Sequence, residues 1–128
     1  MKNFQTPISR ARGRGAAGEG VGHWVVQRLT AIALVPLTLW FAFGIAALSQ
    51  RDHADVIGWM ASPINAGLLV LFMLTLFWHS MLGVQVVVED YVEPAWAKIT
   101  VLIANKLIHF GLGGIVVVAV LRIAFAGT

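Results

Sequence analysis

Two stretches of this chain are long, apolar and free of formal charge, and a third is nearly so. Leu29 to Gln50 holds no charged residue, and Ser62 to Val88 holds none beyond the titratable His79. The third runs from about Ile99 to Phe125 and is interrupted by Lys106, His109 and Arg122. About 20 apolar residues in a helix, at about 1.5 Å rise each, cross the hydrocarbon core of a bilayer. The helix also satisfies its own backbone polar groups where no water is available. The pattern predicts an all-α membrane protein with three transmembrane helices, spanning about 24–49, 63–89 and 99–125. Composition points the same way. The chain is 59% hydrophobic and 12% charged, whereas a soluble domain carries about 25% charged residues. So little charge cannot coat a water-facing surface, which excludes a soluble enzyme domain. Three spans fill most of the 128 residues and leave no room for a separate catalytic domain, so no catalytic residue is expected in the chain alone. Cysteine is absent, which removes disulfides, thiolate metal sites and iron–sulfur ligands.

The sequence divides into a basic N-terminal segment, 1–22, and a membrane anchor domain, 23–128. The segment carries Lys2, Arg10, Arg12 and Arg14 among Gly, Ala and Ser, with Glu19 as its one acid. It has no apolar run before residue 24 and does not read as a cleaved signal peptide. It reads either as a solvated tail or as an arm that orders against a partner protein or anionic headgroups. Nucleic acid is not an expected partner, because the tail leads straight into a span. Lys2, Arg10, Arg12, Arg14 and Arg28 precede or open span one, against Arg51 alone in the first connection. This bias puts the N-terminus and the 89–98 connection in the cytoplasm, and the 49–62 connection outside. Lys106 and Arg122 are expected to snorkel toward opposite interfaces.

Ionisable residues at membrane depth are functional candidates. His79 lies about ten residues, or roughly 15 Å of helix, from the cytoplasmic end of span two. Two readings fit it: a histidine hydrogen-bonded to a neighbouring helix, or an axial ligand to a haem held between helices. Gly83, four residues on, shares its face and leaves room for a flat macrocycle. No second histidine suits the same layer, so a partner subunit would supply the other ligand. Asp90 and Tyr91 stand where span two meets the cytoplasmic interface. Eleven residues at about 100° each put Asp90 within about 20° of the His79 face, and Tyr91 about 120° away. Tyr91 is either an interfacial anchor or a hydroxyl donor to a quinone carbonyl, with Asp90 orienting its neighbours. His23 and Arg28 stand at the entrance of span one. Arg28 is either a positive-inside anchor or the partner of a buried anion such as a haem propionate. His109 is given no role, and His53 is read as solvated in a polar loop.

These residues, taken in order, resemble a known family. Gly22-His23, Arg28, Thr30-Ala31, the pattern H-x3-G-x6-D-Y from His79 through Gly83 to Asp90-Tyr91, and Pro94 are similar to the D-type hydrophobic membrane anchor of succinate dehydrogenase, respiratory complex II. The layout matches over nearly the whole chain, and the motifs over 22–31 and 79–94. The resemblance implies a heteromeric helical bundle with a second three-span cytochrome b subunit, docking an iron–sulfur subunit and a flavoprotein subunit. It implies a haem b shared with the partner and ubiquinone as substrate. By motif, His79 becomes the ligand to the haem iron, Arg28, His23 and Gly83 its surroundings, and Tyr91 and Asp90 the quinone-binding pair. The implied setting is the bacterial cytoplasmic membrane, with the mitochondrial inner membrane as the alternative. A fumarate reductase anchor running the reverse reaction, a haem-free structural anchor, and a small transporter subunit are the competing readings. The Arg12-Gly-Arg14-Gly run has no counterpart in the resemblance.

Overall fold

The computed structural model describes residues 15–127, with side chains from Gly20 onward; Lys2, Arg10, Arg12 and Arg14 of the basic segment lie outside the described residues. The described chain is helical throughout. It forms α1 (Gly15–Leu48), α2 (His53–Ala61), α3 (Pro63–Tyr91) and α4 (Ala95–Ala126). Three of these, over Gly20–Leu48, Pro63–Tyr91 and Ala95–Ala126, are long and apolar enough to cross a membrane.

Hydropathy marks where the membrane lies and not where a helix must stop. So α1 is already helical at Gly15, the first described residue, ahead of the apolar run, and its backbone hydrogen bonds continue through Pro36 at the cost of one missing N–H donor. Between α1 and α3 the chain makes a further short helix. Asp52 caps it by accepting a hydrogen bond from the Asp55 N–H at 2.9 Å. This side-chain acceptor satisfies one of the otherwise open N–H groups of the first turn. Pro63 opens α3 at a position where its missing N–H costs nothing. The Asn65 side chain donates to the Trp59 carbonyl at 3.0 Å and ties α2 to α3 across the junction. Pro94 stands at the N-cap of α4, and Gly127, at φ 66°, closes it in the left-handed conformation.

The helix α3 is central. It packs along α4 on one side and along α1 on the other, while α2 lies against α3 and α4. Most of the buried apolar side chains belong to α3: Ala66, Leu69, Phe72, Met81, Leu82 and Val88. Phe41 of α1 meets Phe72 with ring centroids 5.0 Å apart. Outside these seams large apolar side chains such as Ile32, Phe43, Ile115 and Phe125 are exposed along the length of the helices. Such surface is covered by lipid or by another subunit's helices, because water would penalise it at about 25 cal/mol per Å².

Candidate functional site

The two seams of α3 each carry a polar contact in an otherwise apolar setting, and they differ in what they leave free. On the α1 side, His79 Nδ1 lies 2.9 Å from the Thr30 hydroxyl oxygen. That oxygen is also 2.8 Å from the Val26 carbonyl and 3.0 Å from the Gln27 carbonyl, the back-bonding geometry of a threonine inside a helix. No other hydrogen bond reaches the His79 ring among the described residues. The half-buried ring borders an open hollow of about 390 Å³ shared with Ala31, Leu34, Val35, Thr38 and Leu39.

On the α4 side, Asn105 is buried and its side-chain amide donates to the Met81 carbonyl at 3.0 Å. One turn on, His109 Nδ1 is 2.8 Å from the Asn105 carbonyl, and Nε2 is 3.1 Å from the Ser80 hydroxyl. A carbonyl only accepts, so Nδ1 carries the proton and Nε2 accepts from Ser80. Both nitrogens of His109 are therefore engaged, and Phe77 stands edge-on to its ring with centroids 6.2 Å apart. His109 holds α3 to α4 and has no lone pair to offer a metal. Nothing in the sequence singles out Asn105. An uncharged amide in a span gives a weak signal, and only packing shows that it is buried.

Toward the start of α1 the same α1–α3 seam opens into a hollow of about 540 Å³. Its walls include His23, Trp24 and Arg28 from α1 and Gln85 and Glu89 from α3. The Arg28 guanidinium lies 5.4 Å from the Trp24 ring centroid, which holds the cation over an aromatic face one turn away on α1. Gln85 donates to Glu89 at 2.9 Å. Gln27 lines the hollow beside Gly83; a Cβ on Gly83 would meet the Gln27 amide nitrogen at 3.8 Å, an ordinary contact. Among the described residues the Gln27 side-chain oxygen is buried without a partner. An orphaned acceptor of this kind leaves a site for a donor.

His79, Gly83, Arg28 and His23 are thus brought to one seam. Asp90 and Tyr91 sit at the end of α3, where Tyr91 is 82% exposed. Among the described residues no side-chain hydrogen bond holds the Tyr91 hydroxyl or the Asp90 carboxylate, so both face the surroundings of the chain. His53 is exposed, as read from the sequence, but it opens α2 and does not sit in a loop. Among the described residues no three His, Asp or Glu side chains converge on an ion-sized site. A haem shared with a second subunit would take one histidine from this chain; among the described residues His79 has one nitrogen held and the other without a hydrogen-bond partner, which would fit such a group.

The fold and the seam define a multi-pass helical membrane protein whose outer faces are built to be covered and whose polar groups gather at one side of its central helix. The matching family model is the succinate dehydrogenase/fumarate reductase transmembrane subunit, over residues 2–113, and the chain belongs to that family as a membrane anchor subunit. It is similar to the succinate dehydrogenase hydrophobic membrane anchor subunit of Rickettsia bellii (strain RML369-C), with 38% identity over 105 residues, 82% of this chain and 84% of the relative. The corresponding subunit of Rickettsia conorii (strain ATCC VR-613 / Malish 7) is 29% identical over 106 residues, 82% of this chain and 84% of the relative. The succinate dehydrogenase membrane anchor subunit of Reclinomonas americana is 29% identical over 92 residues, covering 70% and 77%.

Proposed function

We propose that the chain is the D-type anchor of a succinate:ubiquinone oxidoreductase, sharing one haem b with a second three-span cytochrome b subunit and docking an iron–sulfur subunit and a flavoprotein subunit. The observation that carries the haem reading is the contrast between the two histidines of the spans. His109 has both nitrogens bonded within the chain, while His79 has one nitrogen bonded and borders an open hollow. The names of the relatives described above support the succinate direction over a fumarate reductase anchor.

In this reading His79 gives its free ring nitrogen to the iron. Along the antiparallel α1, Arg28 stands about half a turn and His23 about two turns from Thr30, the residue level with His79, and Arg28 would offer haem propionates a planar fork of donors. Gly83, with no side chain, would leave room in the wall of the seam for a flat macrocycle. When bound, the haem would supply a one-electron redox centre between the two hydrophobic subunits. Tyr91 donates its hydroxyl to a ubiquinone carbonyl, and the bond strengthens as that oxygen gains electron density. Asp90 lies beside it and orients neighbouring donors. The charge bias supports a cytoplasmic N-terminus, which puts Tyr91 on the side of the soluble subunits. The setting is a bacterial cytoplasmic membrane.

The test is purification of the chain from its native membrane, with peptide identification of what accompanies it and a reduced-minus-oxidised optical spectrum. A flavoprotein, an iron–sulfur protein, a second hydrophobic subunit and a b-type spectrum are expected together. The same partners without a b-type spectrum would make this a haem-free structural anchor.

A further inference from the structure

We propose that Thr30 is a positioning residue for His79: its hydroxyl fixes which imidazole nitrogen carries the proton and thereby which one is free to bind iron. The proposal rests on the haem reading above and concerns a residue to which that reading gives no part.

The argument is a count of protons. The Thr30 oxygen has three close polar neighbours, the Val26 carbonyl at 2.8 Å, the Gln27 carbonyl at 3.0 Å and His79 Nδ1 at 2.9 Å. The hydroxyl has one proton to give. Were it given to Nδ1, the oxygen would face two carbonyl oxygens at hydrogen-bond distance with no proton between them, a repulsive arrangement. Given to the carbonyls of its own helix, the proton leaves the oxygen lone pairs free to accept from Nδ1–H. His79 is then the Nδ1–H tautomer, and Nε2 carries an exposed lone pair.

That is the second-sphere arrangement a ligating histidine requires: one nitrogen donates to a fixed acceptor, which sets ring orientation and raises the donor strength of the other. The acceptor is built on α1, the helix that also carries His23 and Arg28, so docking of α1 against α3 orients the ligand before any cofactor arrives. The bond also satisfies an N–H that would otherwise be unpaired at membrane depth.

Removing the acceptor makes His79 a poorer donor, so the oxidised iron loses stabilisation and the haem midpoint potential rises. The experiment compares Thr30→Val, Thr30→Ser and His79→Ala in the intact purified complex, by redox titration of the haem and by its low-temperature paramagnetic spectrum. Thr30→Ser, which keeps the hydroxyl, is expected to titrate as the wild type. Thr30→Val, which keeps the shape, is expected to retain haem but to titrate at a more positive potential with displaced paramagnetic g values. If Thr30→Val does not assemble, Thr30→Ala replaces it, and the same contrast with Thr30→Ser is read. A potential and spectrum unchanged in the variant without the hydroxyl, with haem bound, would overturn the positioning role. An unchanged haem in His79→Ala would instead overturn the ligand assignment itself, and the two failures are separate.

Discussion

The ring of Trp59 occupies the space that a side chain on Gly44 would need. A Cβ there would fall 2.7 Å from Trp59 Cζ2 and 3.2 Å from Cη2. Trp59 also stacks on Trp40, with centroids 5.4 Å apart and planes 20° from parallel, so the ring cannot easily retreat. This contact fastens α2 to the second half of α1. Gly44→Ala should destabilise the solubilised complex by about 1–3 kcal/mol, the usual cost of overpacking. Thermal unfolding in mild detergent measures it. Adding Trp59→Ala should make the Gly44→Ala step nearly neutral; a full cost in that background would show that the ring is not the obstacle.

The Asn105 amide donates once, to the Met81 carbonyl, and among the described residues its side-chain oxygen is buried without a partner. Such a group contributes little net stability, because the orphaned acceptor offsets the bond that is made. Helix-to-helix bonds in membranes are worth about 0.6 kcal/mol on average and up to about 1.7. Asn105→Leu should therefore change the stability of the complex by less than about 1 kcal/mol. Asn105→Ala should cost more than Asn105→Leu, because it removes the bond and opens space as well. The reverse order in a detergent denaturation series would mean that the polar contact outweighs packing.

The proposed orientation is open to direct labelling. With endogenous cysteine absent, His53→Cys and Trp96→Cys each give a single reactive thiol. Both positions are exposed in the chain. In intact cells an impermeant thiol reagent should modify position 53 and leave position 96 untouched until the membrane is opened. The opposite pattern would invert the topology and separate Tyr91 from the soluble subunits.

Tyr91 offers an unengaged hydroxyl at the end of α3. Tyr91→Phe keeps the ring and removes the donor. Quinone reduction by the complex should fall by roughly 10- to 1000-fold, in line with loss of one donor to a developing negative charge. Haem content and succinate oxidation with an artificial acceptor at the flavoprotein should be preserved. Unchanged quinone reductase activity would leave Tyr91 as an interfacial anchor.

The three spans were legible because lipid imposes a simple rule, about 20 residues without charge, and this chain obeys it twice and nearly a third time. What escaped follows from interactions that hydropathy does not weigh. Charge alone makes 49–62 look like a polar loop, whereas Asp52, Asp55 and the apolar Val56, Trp59 and Met60 carry the cap and helical stripe of α2. Short amphipathic helices at an interface look like loops when judged by charge alone. His79 stands out in the sequence by its depth in a span and Gly83 by its spacing from it, but their neighbour Thr30 enters only through a resemblance. A threonine in a span has no signature until the helix opposite brings a histidine to it. The sequence ranks His79 above His109 by depth and motif, but the physical reason lies in packing: Ser80 and the Asn105 carbonyl occupy both His109 nitrogens, while Thr30 occupies only one of His79.

The most direct test of the account is the optical and low-temperature paramagnetic spectrum of the purified complex carrying His79→Ala, beside His109→Ala as a comparison. His79→Ala is predicted to abolish the b-type signal or convert it to a different ligation state, because axial ligation sets both observables. His109→Ala is predicted to leave the haem ligation state unchanged in whatever complex assembles. A wild-type haem spectrum in His79→Ala would contradict the account at its centre.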